Sequence, residues 1–296
     1  MVRRAGILVI AALVVCGAAS AGDKKKDPNA IGDRDVGKGL NFYSVPQELA
    51  LGKQLSIEVA REAKMVDDPI VSEYINRLGQ NLVRNSDVTF PVSFRLIESD
   101  EINAFTLPGG YIFLNTALVE LSGNEAELAS AMAHEIGHVA ARHATRQASR
   151  DRLMSIGTLP VAILGGALAH LAVNSAMPMA QMKFSREFEN EADLLGIQYL
   201  WKAGYDPNAS VDLFEALAST EKTQPGKVAK LFRAHPLTPD RIEKTQRNID
   251  KLLPARPHYV LNTSEYEDIR ARLEGLTKKP AEEEKTPVLR RDAAAE

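Results

Sequence analysis

The run His134-Glu135-Ile136-Gly137-His138 sets two imidazoles four residues apart, with a carboxylate directly after the first. On a helix, residues i and i+4 share a face, so both histidines can offer a ring nitrogen to one metal ion. Zinc suits imidazole and has no redox chemistry of its own. Glu135 falls about 100° round the helix from His134. From there it can reach a water that the metal polarises and take its proton without being a ligand. The neighbours Met132, Ala133, Ile136 and Val139 are apolar. Two histidines and a glutamate in such a setting are costly unless paired or ligated.

A catalytic zinc takes three protein ligands and keeps one open position. A third histidine on the same helix would require Gly at 141 and His at 144, where the chain has Ala141 and Ala144. The other common donor is a glutamate from a second helix, and the segment from Ser185 to Asp193 holds Glu187, Glu189 and Glu191. Glu189 and Asp193 are i and i+4, so they face one way, and Gly196 on the same face would let two helices approach closely. Glu189 can then ligate, and Asp193 can orient a ligand histidine through its other ring nitrogen. Glu191 points some 160° away from Glu189. Taken alone, three acids on a helix read as a solvated face. His143 and His170 have no partner spacing and read as structural. His235, ahead of Pro236 in an expected loop, reads on its own as a surface residue.

These residues need two helices crossing closely, and the patterns provide them. A helix is expected from a capping box at Ser122 and Glu125 through Arg146, and another from its cap at Ser185 to Gly204. Further helices are expected over residues 46–64, 69–85, 208–222 and 239–253, and after Ser264. In the second, Ile70, Tyr74, Ile75, Leu78, Leu82 and Val83 form one stripe. Phe90 to Ile97, Ile102 to Leu107 and Tyr111 to Asn115 read as strands, the last two joined by the turn Pro108-Gly109-Gly110. Residues 153–173 are uncharged and mostly apolar, broken by Pro160 and Gly165-Gly166. They read as a packed helical hairpin, with a lid or a membrane contact as the functional alternatives.

The 296 residues are 45% hydrophobic and 25% charged, enough apolar material for a real core, and the net charge of -3 gives nucleic acid no footing. Arg3 and Arg4, the apolar run Ile7 to Val15 and the small-x-small site Ala19-Ser20-Ala21 read as a signal peptide, residues 1–21. A mobile leader (22–40), one folded domain that holds the His/Glu motif (41–277) and a disordered tail (278–296) follow. The lone Cys16 lies in the signal, where Leu13-Val14-Val15-Cys16 half-matches a lipoprotein box. Val15 departs from the small residue such boxes want, so ordinary export to the periplasm is favoured over a lipid anchor.

Together, Asn103-Ala104-Phe105 with Pro108-Gly109-Gly110, His134 to His138, Glu189-x-x-x-Asp193, and His235-Pro236 with Arg241 resemble the family-48 zinc metallopeptidases, most of all their periplasmic members, from about Asn41 to Leu276. The resemblance implies a mostly helical α+β, gluzincin-type domain with a small antiparallel sheet bordering the cleft. It implies one Zn2+ per chain on His134, His138 and Glu189, with Glu135 as base and Asp193 as supporting acid. Extended polypeptide substrate would pair with the strand near Tyr111 to Asn115, making Asn103, Tyr111 and Phe113 substrate-strand residues. His235 would sit near the zinc as a latch, and Arg241 could donate to the oxyanion, with a helix salt bridge as the plain alternative. The implied activity is endoproteolysis of misfolded or unassembled envelope proteins, with outer-membrane or envelope assembly factors as candidate partners. The competing reading is a non-catalytic, zinc-containing chaperone or binding module.

Overall fold

The computed structural model describes residues 24–156 and 183–277. The signal segment, the tail from Lys278 and most of the apolar segment 153–173, with His170, lie outside the described residues. The described helices are α1 (Val45–Glu62), α2 (Pro69–Arg84), α3 (Thr116–Leu121), α4 (Glu125–Ala140), α5 (His143–Ile156), α6 (Arg186–Lys202), α7 (Ala209–Thr223), α8 (Pro225–Ala234), α9 (Pro239–Leu252) and α10 (Ser264–Thr277). The strands are β1 (Ser93–Ile97), β2 (Ala104–Leu107) and β3 (Tyr111–Asn115). The fold is mostly helical with one small sheet, and no described helix is long and apolar enough to cross a membrane.

Helix α4 carries the architecture. It is buried nearly all round, and its small residues Ala126, Ala129, Ala133 and Gly137 let neighbours close on it. At Gly137 a Cβ would lie 2.9 Å from the Ala192 carbonyl oxygen, and at Gly196 it would lie 3.2 Å from the His134 backbone. Helices α4 and α6 therefore cross almost backbone to backbone, as the glycine at 196 implies. Around them Val71, Ile75 and Leu82 of α2, Ile112 and Leu114 of β3, and Tyr199 and Leu200 of α6 form the main core.

The sheet departs from a purely antiparallel one. Its order is β1-β3-β2, with β2 antiparallel to β3 and β1 parallel to it. The β2–β3 hairpin follows from Gly109 and Gly110, both at positive φ (72° and 83°), a conformation glycine adopts without a Cβ penalty. Strand β3 is thus the central strand, hydrogen-bonded on both sides, and offers no free edge to a substrate. Alternation also places Tyr111 and Phe113 on the sheet face away from α4. There Phe113 stacks on Phe105 at 5.2 Å between ring centroids and packs with Leu55 and Val59 of α1. The substrate-strand assignment of Tyr111 and Phe113 is corrected accordingly: Phe113 is a core residue, and Tyr111 packs, partly buried, against the same cluster.

Four local expectations also change. The cap of α4 is Asn124, whose side chain accepts from the Glu127 N–H (3.0 Å) while the Glu127 carboxylate accepts from the Gly123 N–H (2.8 Å). The cap–x–x–acid spacing is real but starts at Asn124, and Ser122 instead donates to the Leu118 carbonyl. Second, the helix does not run through to Arg146: it stops at Ala140, Arg142 takes φ 54°, and α5 starts at His143. The Arg142 side chain holds this turn by donating to Glu48 (2.6 Å) and to the Tyr43 carbonyl (2.7 Å). Third, the stretch expected as a mobile leader is tied down from Lys24 onward. Val36 is buried, and Arg34 donates to Asp87 (2.9 Å), which also accepts from Tyr199 (2.8 Å). Ile70, placed in the apolar stripe of α2, sits in its first turn and is exposed.

Candidate active site

Helix α4 brings His134, Glu135 and His138 to the crossing, and α6 brings Glu189 and Asp193 from the other side. His134 Nε2 and His138 Nε2 lie 3.1 Å apart. Glu189 Oε2 is 3.6 Å from His134 Nε2, and Oε1 is 3.5 Å from His138 Nε2. Bonds of about 2.0–2.2 Å to a tetrahedral zinc would put donor atoms roughly 3.3–3.6 Å apart. The two carboxylate distances, one from each Glu189 oxygen, fall in that range and the imidazole pair lies just short of it, and the chemistry is right, two imidazoles and a carboxylate, so the residues present fit a zinc ion. His235, in the turn after α8, is buried rather than on the surface. Its Nδ1 lies 3.1 Å from Glu189 Oε1 and 3.4 Å from His134 Nε2, at the fourth corner of the same cluster.

The surrounding contacts fix these groups. Asp193 Oδ1 is 3.0 Å from His134 Nδ1, the ring nitrogen facing away from the cluster. Arg241, in the first turn of α9, donates through Nε and Nη2 to both Asp193 oxygens (2.8 Å each), and its Nη1 lies 3.0 Å from Glu189 Oε2. All three guanidinium nitrogens are engaged by the protein, so the geometry is that of a buried ion pair. Glu135 is buried, and its Oε2 accepts from the Thr106 hydroxyl of β2 at 2.7 Å. His138 lies against the Phe184 ring, with centroids 4.2 Å apart. An apolar cavity of about 60 Å³ opens beside His134 and Glu135, walled by Leu118, Leu213, Phe214 and Phe232.

Electrostatics follow from burial against partners. Burial alone would raise the Asp193 and Glu189 carboxyls. Arg241 and His134 hold Asp193 well below the usual range, and His235, His134 and Arg241 lower Glu189. Burial, with His134, His143 and His235 close by, holds His138 well below the usual histidine range. His235 goes the other way: burial would lower it, and Glu189 and Glu135 override that.

A family model for "Peptidase family M48" matches residues 69–249, which hold the whole cluster. The chain belongs to this family. The M48 peptidases are zinc-dependent, in keeping with the donor set. The chain is 31% identical to the "Beta-barrel assembly-enhancing protease" of Yersinia pestis over 255 residues, covering 82% of this chain and 51% of that protein. It is 33% identical to the Escherichia coli (strain K12) protein of that name over 245 residues, 79% of this chain and 49% of that one. It is also 30% identical to the "Mitochondrial metalloendopeptidase OMA1" of Schizosaccharomyces pombe over 177 residues, 58% of this chain and 51% of that one. The chain spans about half the length of the relatives it matches.

Of the residues singled out in the M48 sequence, the structure brings His134, Glu135, His138, Glu189, Asp193, His235 and Arg241 into one cluster. Tyr111 and Phe113 lie elsewhere. Asn103 precedes β2, and its buried Oδ1 finds no partner among the described residues. Sequence reasoning missed Thr106, Phe184 and above all His143, whose Nδ1 lies 2.9 Å from His138 Nδ1. A glutamate-facing strand residue carries no local signal. His143 comes five residues after His138, which on an unbroken helix puts it on another face, and only the left-handed turn at Arg142 swings it back.

Proposed function

We propose that the chain is a zinc endopeptidase of the bacterial cell envelope, exported by residues 1–21 and acting through a domain spanning 41–277. The observation that carries this is the convergence of His134 Nε2, His138 Nε2 and the Glu189 carboxylate within 3.1–3.6 Å of one another, with the Glu135 carboxylate beside them. A zinc ion held there supplies Lewis acidity, which polarises a scissile carbonyl and makes water more acidic. Glu135 accepts the proton of the attacking water and passes it to the leaving amine. Thr106 orients the Glu135 carboxylate, and Asp193 with Arg241 orients His134 and Glu189. Since every Arg241 nitrogen is taken, we assign it to holding the ligands and not to the oxyanion. An extended polypeptide would add to β2, the terminal strand beside Glu135, and the apolar cavity would take an apolar side chain. His235 at the fourth corner is a latch that substrate must displace. The names of the relatives support substrates among unassembled envelope proteins and partners in outer-membrane assembly.

Glu135→Gln tests the reading. The amide keeps the shape but cannot act as a base, a role worth about 10²–10⁴-fold. Casein cleavage should fall by that factor while zinc content, measured by elemental analysis, stays at one per chain. Cleavage at the wild-type rate would sink the hydrolytic mechanism, and a wild-type protein that binds zinc yet never cleaves would favour the chaperone reading.

A further inference from the structure

His138 is fully buried, and its two ring nitrogens face different worlds. Nε2 points at His134 and Glu189. Nδ1 points at His143 Nδ1, 2.9 Å away, and His143 Nε2 in turn lies 3.1 Å from Glu191 Oε2. Glu191 is held from its far side by Lys25, in the segment ahead of α1, and by Arg146 Nη1 at 3.4 Å. The His143 ring is itself immobilised, stacked on Phe188 with centroids 4.3 Å apart and an interplanar angle of 18°.

We propose that His143 and Glu191 are positioning residues that fix the tautomer of His138 and so keep its Nε2 lone pair aimed into the zinc site. The argument is one of proton counting. Only one proton fits between two imidazole nitrogens 2.9 Å apart. A carboxylate accepts and does not donate, so ionised Glu191 demands the proton on His143 Nε2. Neutral His143 then has a lone pair at Nδ1, which accepts from His138 Nδ1–H. With its proton there, His138 presents a bare Nε2. The reverse order would set the His143 Nε2 lone pair against the Glu191 oxygen and put a proton on His138 Nε2, facing His134. His134 gets the same service in one step, from Asp193 Oδ1 at 3.0 Å. The two ligand histidines are thus each oriented by an acid of α6, one directly and one through a second imidazole, the outer-shell device that secures metal ligands. Glu191, which points away from Glu189 on its helix, points at the back of the other ligand.

The inference rests on the zinc reading above, and its test is a binding measurement. Zinc dissociation constants would be read by chelator competition on the full chain, with melting of the zinc-free protein measured in parallel. His143→Leu and Glu191→Leu, each of which removes the acceptor on its side of the relay, should each weaken zinc by about 10–100-fold. His143→Asn, whose side-chain oxygen can accept where Nδ1 did, should recover most of the affinity. Glu187→Gln, at an exposed acid of the same helix paired with Arg150, should change nothing. The cobalt-loaded protein adds a spectroscopic reading, since a mis-set His138 shifts its ligand-field bands. Zinc affinity within twofold of wild type in the variants would overturn the proposal, as would lower melting with unaltered affinity, the mark of a merely structural pair. Should His143→Leu not fold, Glu191→Leu, at a side chain 14% exposed, decides alone. A wild-type chain that binds no zinc would instead refute the metal reading itself.

Discussion

Two charge clusters flank the crossing of α4 and α6, and they are built to different standards. On the front, Glu135, Glu189, Asp193, His235 and Arg241 are all sealed from solvent. On the back, His143 is sealed, but the Glu191 side chain is 14% exposed and its Lys25 partner 28%. Water can screen and hydrate the back, so a lysine on a flexible stem is enough there. The front has no such relief, and its charges must be neutralised in place, which is why one guanidinium is shared between two carboxylates at fixed geometry. The comparison suggests where the fold is most easily broken: at the group whose loss leaves buried charge with no partner and no water.

Arg241→Ala should therefore have the largest effect on folding. It strands Asp193 as a buried carboxylate without its bidentate cation and takes one of the cations from Glu189, and breaking such a pair from one side costs about 3–5 kcal/mol. Chemical denaturation of the zinc-free protein would read this without help from the metal. The double variant Asp193→Ala/Arg241→Ala should lose less than the sum of the single variants, because it removes both sides of the pair. A loss below about 1 kcal/mol in Arg241→Ala would mean that the front is wetter than its burial indicates.

The same contrast sets what could be read ahead of the structure. The positions of His134, Glu135, His138, Glu189, Asp193 and Gly196 obey helical periodicity, and 3.6 residues per turn suffices to put them on facing sides of a crossing. The ends of α2, α6 and α9 were legible for a similar reason, since Asp68, Ser185 and Thr238 cap them through local bonds. What escaped depended on contacts between distant parts of the chain. The parallel pairing of β1 with β3 joins strands that are not consecutive in the chain, so no turn between them announces it. The break at Arg142 is held by Glu48 and Tyr43, nearly a hundred residues away, and no local rule predicts a left-handed arginine. With the break unseen, His143 looked partnerless and Glu191 idle. No helix is expected from the sequence over 225–234, although Pro225 is a fair first-turn residue, so nothing local shows that the loop holding His235 is buried.

Within the front cluster, His235 differs from its neighbours: it sits where substrate or water must come. His235→Ala should raise casein cleavage per bound zinc by a few-fold at fixed neutral pH, because nothing then competes for the fourth corner. Comparing variants at one pH matters, since His134 and His138 also lose metal in acid. Unchanged or lower turnover at full zinc occupancy would make His235 a contact of the transition state, and the latch should then be dropped.

The smallest effect belongs to the back, at Lys25→Ala. This pair is partly hydrated and includes a long side chain that must be ordered, so its loss should cost less than about 1 kcal/mol, well under the front value. Its pH dependence has a definite sign. Burial would raise the Glu191 carboxyl, but hydrogen bonds from His143 and Lys25 bring it down to about 2, from an ordinary 4.5. A carboxyl depressed by folding contributes stability that is complete above its unfolded value and fades as pH falls through its folded one. The Lys25→Ala cost, measured by denaturation of the zinc-free protein, should accordingly be constant from pH 7 to about 5 and shrink between about 4.5 and 2, where Glu191 gains a proton and no longer attracts the lysine. A cost that instead persists unchanged at the acid end would show that Lys25 acts through packing of its stem and its contact with the Val36 carbonyl (3.5 Å), and not through its pairing with Glu191. That result would leave the front as the one charge-dependent side of the crossing.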